Sequence, residues 1–416
     1  MPGFLLHETL DAGPSRAGPR DVVLFDSAVP LSVVFLDTLG GTVVLAEKLS
    51  EGISSTDEVP DVLAKKLMPV KGKATFSLRT LGLAPAAVKA LYRKSKDHLK
   101  RKGKPTRYVG NEHRAASSIV LREHKLLDGS GGSELVILQR TGEDGGPSLL
   151  WTGMTVGAQD IESYSKRDMD KPVRDTGVGL LPPKLAQIMI NFGVWLAKGK
   201  KSTPIPNPNP SPSRMIIYDP FCGTGVIPME CLLRGFTALA SDKSLKAVNG
   251  CTKNLEWLRK RFAVKKSSVP SRVWKQDATK PFDVKDPSWS SPRAATRGSG
   301  VDVIVTETSL GPALQKRPTA REAQKLCTEN ETLQQDFLRS AAASFPGTPI
   351  VCTWPVWYSS KTPIRLERVW KTIDECGYQA VLPPTIEIVG DRVSLLYRRP
   401  DQFVGREIVL LRPKRR

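Results

Sequence analysis

The stretch "YDPFCGTGVIPMECLLRG", residues 218–235, passes from the end of an apolar run through a carboxylate and two glycines into a helical pattern. With "MII" just before it, this reads as a strand, a tight turn and a helix. In an open parallel sheet the ligand sits beyond the carboxyl ends of the strands, beside such a turn. Gly223 and Gly225 permit a sharp bend and a close backbone approach, because neither carries a Cβ. Two nucleotide readings fail on the residues present. A phosphate loop needs Lys followed by Ser or Thr after its second glycine, and a dinucleotide fingerprint needs a third glycine where Pro228 stands nearby. Asp219, at the mouth of the turn, would repel phosphate and suits a cation.

Downstream the same pattern recurs. "MIIYD", "TALASD", "VDVIVTE" and "PIVCTW" are almost continuous apolar runs, as strands of a parallel sheet covered on both faces read. Ahead of them, "LLPPKLAQIMINFGVWLAKG" predicts a helix, with Pro182 and Pro183 at its start and Leu185, Ile188, Met189, Phe192 and Leu196 at helical spacing. The second strand ends in Asp242, 23 residues after Asp219, near the spacing at which an acidic residue accepts from ribose hydroxyls. Asp277, in "VWKQDATKPFD", falls where the third strand should end and is placed to accept from an adenine amine. S-adenosyl-L-methionine, with its sulfonium and ammonium groups and no phosphate, fits these constraints. The plainer role for Asp219 is a helix cap.

The chain has 416 residues, a length that suggests two or three domains at about 150 residues each. Its formal charge of +20 makes a polyanion the natural partner. The excess is local: residues 89–122, "KALYRKSKDHLKRKGKPTRYVGNEHRAASSIVLR", are crowded with cations and form a candidate phosphate-contacting face. Within it "APAAVKALYRKSKDHLKRKG" predicts a helix with Val88, Leu91, Tyr92 and Leu99 on one stripe and Gly103 as its stop. Strand-like runs surround it at 21–25, 32–35, 42–45, 74–78, 118–121 and 135–138, which points to an α+β module. The expected division is an N-terminal α+β module over 1–159 and an α/β domain over 160–416, with Pro- and Ser-rich insertions near 198–214 and 284–300. Six widely spaced cysteines with no C-x-x-C pair argue against a structural zinc site. No signal-peptide pattern or membrane-length apolar run is present, so the cytoplasm is the expected setting.

"DPFCGTGVIPMECLLRG" with "ASDKSLKAVNGCTKNLEWL" resembles the motif region of the THUMP-associated family, class I methyltransferases that modify the exocyclic amine (N2) of guanosine in tRNA. "YSKRDMDKPVRDTGVGLLPPKLAQIMIN" and "SLLYRRPDQFVGREIVLL" are similar to the same family, and residues 70–160 resemble its tRNA-binding module more weakly. The resemblance implies a Rossmann-like methyltransferase domain preceded by a THUMP-like RNA-binding module. It implies that Asp219, Phe221, Gly223, Gly225, Asp242, Asp277 and Lys184 bind the cofactor, and that Arg93, Lys94, Lys100, Arg101 and Arg107 face the RNA. It also implies that a small zinc-binding activator protein, with which some members work, is a conceivable partner.

The chain departs from the family after the fourth strand. Enzymes that methylate exocyclic amines carry an acidic or amide residue, prolines and an aromatic ring there, and some relatives read "TEPYLG". Here "VDVIVTETSLGPAL" leaves Glu307 as the catalytic hydrogen acceptor, but puts Thr308 in place of proline and Ser309, on the substrate side, in place of the ring. Losing a base-stacking ring removes roughly 1–3 kcal/mol. Trp354, Trp357 and Tyr358 in "CTWPVWYSS" are the candidates to replace it. Three outcomes stay open: a tRNA guanosine methyltransferase, an rRNA or DNA amino-methyltransferase, and a catalytically silent RNA-binding protein.

Overall fold

The apolar runs between residues 44 and 158 pair into a mixed sheet in the computed structural model, which describes residues 22, 36–53, 55–140, 149–175, 180–198, 215–282, 300–359, 362–384, 386, 392–399 and 401–414. Two compact units result, one within Thr42–Tyr164, the other from Thr38–Gly41 and the described part of Ser165–Arg416.

In the first unit β1 (Val44–Ile53), β2 (Ala74–Leu81), β3 (Thr106–Tyr108), β4 (Gly132–Arg140) and β5 (Leu149–Ala158) lie in the order β1-β5-β4-β2-β3. β2 runs parallel to β3 and β4, and β5 is antiparallel to β4 and β1. Helices Val59–Leu67 and Pro85–Arg101 bury Leu63, Leu67, Val88, Leu91, Tyr92 and Leu99 against Phe76, Leu78, Leu135 and Ile137. Tyr92 spends its hydroxyl on the sheet, accepting from Leu78 N at 2.9 Å and donating to Leu78 O. The predicted basic helix is present and Gly103, at φ 73°, ends it. The run at 118–121 is not a strand: Ser117 accepts from Val120 N and starts a helix over Ser118–Glu123. Four apolar residues fit either period, and the cap decides. The runs expected at 23–25 and 32–35, and the insertions at 199–214 and 284–299, lie outside the described residues.

In the second unit the chain lays down β6 (Ile216–Asp219), β7 (Thr237–Asp242), β8 (Ser271–Lys275), β9 (Val303–Glu307), β10 (Ile350–Tyr358), β11 (Pro363–Ile364), β12 (Tyr378–Ala380), β13 (Leu395–Tyr397) and β14 (Val404–Pro413). The main order is β12-β14-β10-β9-β6-β7-β8, with β11 on β10 and β13 on β14. β8, β7, β6, β9 and β10 run parallel, and β14 is reversed against β10 and β12. This is a Rossmann-like doubly wound sheet with one reversed strand in its main order, and the short β11 is also reversed against β10. Successive residues serve opposite faces: Ile217, Val303, Val305, Val351 and Ile408 join one core, and Tyr218, Ile304, Cys352 and Val409 join the other. Helices Pro183–Lys198, Val226–Leu233 and Leu245–Arg261 cover the first face; Ala320–Ser344 and Val369–Glu375 cover the second. Burial on both sides is why the strands read as unbroken apolar runs. The order reverses between β6 and β9, and that switch point is where an open α/β sheet opens a ligand crevice.

Candidate active site

The turn after β6 is closed by its own backbone. Phe221 N donates to Asp219 Oδ1 at 3.2 Å, Cys222 N to Ser241 O at 2.9 Å, Gly223 N to Asp242 Oδ2 at 3.1 Å and Gly225 N to Cys222 O at 2.8 Å. Phosphate-binding turns aim such N–H groups at the ligand. Here protein acceptors occupy these four, and Pro228 removes a further donor from the first turn of helix Val226–Leu233. The turn therefore offers few donors beside its carboxylates.

Gly223 and Gly225 have φ of 50° and 91°, and a Cβ on Gly225 would lie 2.6 Å from Cys251 Sγ. Gly225→Ala combines a left-handed backbone with a clash against a packed helix. It should cost roughly 2 kcal/mol or more in urea unfolding; a loss under 0.5 kcal/mol would mean that the turn relaxes freely.

Carboxylates converge at the switch point. Asp219 is buried and accepts from Thr306 Oγ1 of β9 at 2.7 Å. Burial above all, helped by the charges of Asp242 and Glu307, pushes its pKa up to about 8, against the opposing pull of its hydrogen bonds. A buried carboxyl with no cation nearby favours its neutral form, and a cationic ligand would reverse that preference. Asp242 takes Gly223 N on one oxygen and Ser244 N on the other, which fixes the carboxylate and leaves lone pairs for hydroxyl donors. Asp277, two residues past β8, accepts Thr279 N and Oγ1 on Oδ1, bonds that hold its pKa below the ordinary value. Phe221 is half-buried and packs edge-on against Phe337, with ring centroids 5.2 Å apart.

The segment before β6 is tied to this turn. Asn254 exchanges two hydrogen bonds with the backbone of Val173 and donates a third to Thr224 O at 2.8 Å. Lys184 is the second residue of helix Pro183–Lys198, where burial lowers the pKa of its amine. Asp175 pairs with Lys246 at 3.3 Å.

At the carboxyl end of β9, Glu307 Oε1 accepts from Arg406 Nε of β14, while Oε2 accepts no hydrogen bond among the described residues. Burial raises the Glu307 pKa and the Arg406 charge opposes the rise. Of the two departures from the family pattern, Thr308 is built into the core. Thr308 donates to Thr353 O and accepts from Gln334 Nε2 at 2.8 Å, and Asn330 donates to Ser309 O at 2.8 Å. Ser309 itself is exposed, its hydroxyl accepting from Gly311 N. Trp354 and Trp357 are 0% exposed within the second core, so neither offers a face to a base. Tyr358 is half-buried and lies under the Arg398 guanidinium, 3.8 Å from the ring centroid.

The cationic candidates belong to the other unit. Arg93, Lys94, Lys100 and Arg101 are exposed on helix Pro85–Arg101, with Arg93 and Lys100, and Lys94 and Arg101, two turns apart on one side. Lys94 pairs with Asp57 at 2.6 Å; Arg93, Lys100 and Arg101 have no ion-pair partner among the described residues. Arg107 is aimed by Thr75 Oγ1 and His124 Nδ1, each 3.0 Å away.

Thr306, Asn254 and Arg406 were not anticipated. Only Arg406 left a signal, a cation inside the apolar strand "VGREIVLL". No group of His, Cys, Asp or Glu among the described residues is arranged to hold a metal ion. No helix of the described residues is long and apolar enough to cross a membrane.

No family model matches the chain, and no curated protein matches it. Similar solved structures include magnesium protoporphyrin IX methyltransferase from Synechocystis PCC 6803 with bound S-adenosylmethionine, at 13% identity over 61% of this chain and 95% of that one, TM-score 0.32. A second is an S-adenosylmethionine-dependent methyltransferase from Methanosarcina mazei, at 9% identity over 49% and 95%, TM-score 0.30. A third, from Pyrococcus horikoshii and assigned as an RNA methyltransferase, has 14% identity over 59% and 92%, TM-score 0.32. Likeness of this degree bears on neither substrate nor site residues, so the strand order and the side chains at the switch point carry the functional reading.

Proposed function

We propose that this protein is an S-adenosylmethionine-dependent class I RNA methyltransferase whose acceptor is the N2 amine of a guanosine in tRNA. The observation that supports it most is the turn after β6, where the N–H groups of Phe221, Cys222, Gly223 and Gly225 are taken up by protein acceptors while Asp219 and Asp242 stand beside it. That chemistry rejects phosphate and suits a sulfonium and an ammonium. Asp242 would take the ribose hydroxyls, Asp277 the adenine amine, and Phe221, Gly223, Gly225 and Lys184 would line the same site. In the transfer, the guanine amine nitrogen attacks the methyl carbon, the carbon–sulfur bond breaks, and an amine proton is lost. Glu307 Oε2 is the acceptor for that hydrogen, and Ser309 lies on the base side. S-adenosylhomocysteine and N2-methylguanosine leave.

Residues 1–159 act in this reading as a THUMP-like RNA-binding module within a cytoplasmic enzyme. Counterion release predicts its signature. Reversing Arg93, Lys100 and Arg101 to Glu should weaken tRNA binding at least tenfold near 100 mM salt and flatten the salt slope by about 2. An unchanged slope in filter binding would remove this helix from the interface.

A second reading is favoured by Thr308 and the buried tryptophans: a protein that binds RNA and cofactor without turnover, because Thr308, Ser309, Trp354 and Trp357 offer no ring to stack the base. Nucleoside mass spectrometry of tRNA from cells with and without the gene, paired with labelled methyl transfer to that tRNA, separates the two. Loss of N2-methylguanosine with restored transfer in vitro supports the enzyme. Binding without transfer, with or without a small zinc-binding activator subunit, supports the silent protein, and labelling of rRNA or DNA instead would move the acceptor.

A further inference from the structure

We propose that Arg406 is the positioning residue of the methyl-transfer site, holding Glu307 by one oxygen so that the other faces the acceptor amine. This rests on the functional reading above. Arg406 is 2% exposed, in a strand where Ile408, Val409, Leu410 and Leu411 are apolar and buried and where the adjacent Glu407, also buried, is paired with Arg392 and Arg365 instead. A guanidinium in that place needs a reason, because taking an ion pair out of water costs several kcal/mol per ion and apolar replacements of buried pairs are often as stable.

The register supplies one. β10 separates β9 from β14, with Thr353 opposite Glu307 on one side and Pro355 opposite Arg406 on the other. The side chains of Arg406 and Glu307 together therefore bridge about two strand spacings, close to 10 Å, meeting across the carboxyl edge of the sheet. Arg406 Nε donates to Glu307 Oε1, its Nη2 donates to Leu180 O at 3.3 Å, and the guanidinium stands 5.9 Å from the Tyr397 ring centroid. One cation thus ties the acceptor strand to the segment entering helix Pro183–Lys198. The arrangement is one-sided: Oε1 is anchored and Oε2 is left without a partner among the described residues. A purely structural bridge gains from bonding both oxygens, as bidentate arginine pairs do.

The charged group that acts on Glu307 is Arg406 from β14; β10 presents the uncharged Thr353, and Asp219 of β6 is itself kept neutral by burial up to about pH 8. Burial favours the protonated acid of Glu307, and Arg406 favours the carboxylate that can accept the amine hydrogen. Weakening the Arg406 contact should therefore move Glu307 ionisation to higher pH.

The test uses the full chain with tRNA and S-adenosylmethionine between pH 5.5 and 9. Arg406→Lys and Arg406→Met should lower kcat about 10- to 100-fold with the cofactor Kd within twofold, and shift the acid limb of kcat upward by about one pH unit. Arg406→Met placed on Glu307→Gln should lower the rate no further, since Arg406 acts through Glu307. An unmoved acid limb, or a full additional loss in the double variant, would overturn the assignment while leaving methyl transfer by the wild type intact. A readout independent of turnover closes the remaining case: the 13C-carboxyl resonance of Glu307, identified by its loss in Glu307→Gln, should titrate at higher pH in Arg406→Lys. Should Arg406→Met fail to fold, Arg406→Lys carries both measurements. Identical titration in wild type and Arg406→Lys rejects the inference whether or not any RNA is methylated.

Discussion

Glu307→Gln should lower the rate of methyl transfer by about 10²- to 10⁴-fold, the usual contribution of a positioned group that takes up a proton, with the cofactor Kd changed less than twofold. The amine of guanine is conjugated with its ring and becomes nucleophilic only as a hydrogen is drawn away. In the proposed reading Glu307 Oε2 serves that purpose at the carboxyl end of β9, beside the crevice where β6 and β9 part. Glutamine keeps the length and can still accept from Arg406 through its amide oxygen, so the buried guanidinium is not orphaned as it would be in Glu307→Ala. That distinction matters, because stripping the partner from a buried ion costs about 3–5 kcal/mol and would mix unfolding with catalysis. Rapid-quench single turnovers with saturating cofactor, alongside thermal unfolding with S-adenosylhomocysteine, separate the two effects. Activity unaltered in Glu307→Gln would show that the acceptor lies elsewhere.

The strands and the turn over residues 216–242 were legible because each of those features is local. The run "MIIYD" ends in the turn that its glycines demand, "TALASD" ends in Asp242, and alternate residues serve two cores, which erases polar punctuation from the strands. The basic helix was legible for a similar reason, since Val88, Leu91, Tyr92 and Leu99 recur at helical spacing and bury together. What escaped depends on partners far along the chain. Arg406 meets Glu307 across 99 residues and Thr306 meets Asp219 across 87, and no spacing rule links them. Ser118–Glu123 escaped for the opposite reason: a run too short to show its period was settled by one serine hydroxyl.

Trp354 and Trp357 show how far a sequence pattern can be read. As rings after a strand they were candidates to hold a base, yet alternate burial cannot expose them, because β10 is enclosed by β9 and β14 and covered on both faces. Their burial leaves Tyr358, half-buried under Arg398, as the remaining candidate ring on that strand. The residues that hold Thr308 and Ser309, Gln334 and Asn330, come from the long helix Ala320–Ser344. The loop after β9 is thereby fixed by polar side chains where the family pattern uses proline.

Asp219→Asn should abolish measurable S-adenosylmethionine binding, a loss of at least 100-fold, without lowering stability at pH 8. In the free protein the Asp219 carboxyl has a pKa of about 8, so near neutral pH its neutral form prevails and asparagine imitates it, still accepting from Thr306 and Phe221 N. A cationic ligand needs the ionised form. Binding must then release a proton, and affinity should climb by up to about tenfold per pH unit between pH 6 and 8 while Asp219→Asn stays flat. The stability sign runs the other way. With the folded value above the ordinary 3.8, the unfolded chain holds fewer protons between those limits, so ligand-free stability falls as pH rises through the interval. Asp219→Asn is spared that fall and should melt no lower than wild type at pH 8. Calorimetry in buffers of different ionisation enthalpy reads the released proton directly; a wild-type affinity independent of pH, with no proton released, would mean that the switch-point carboxyl does not meet the ligand's charge.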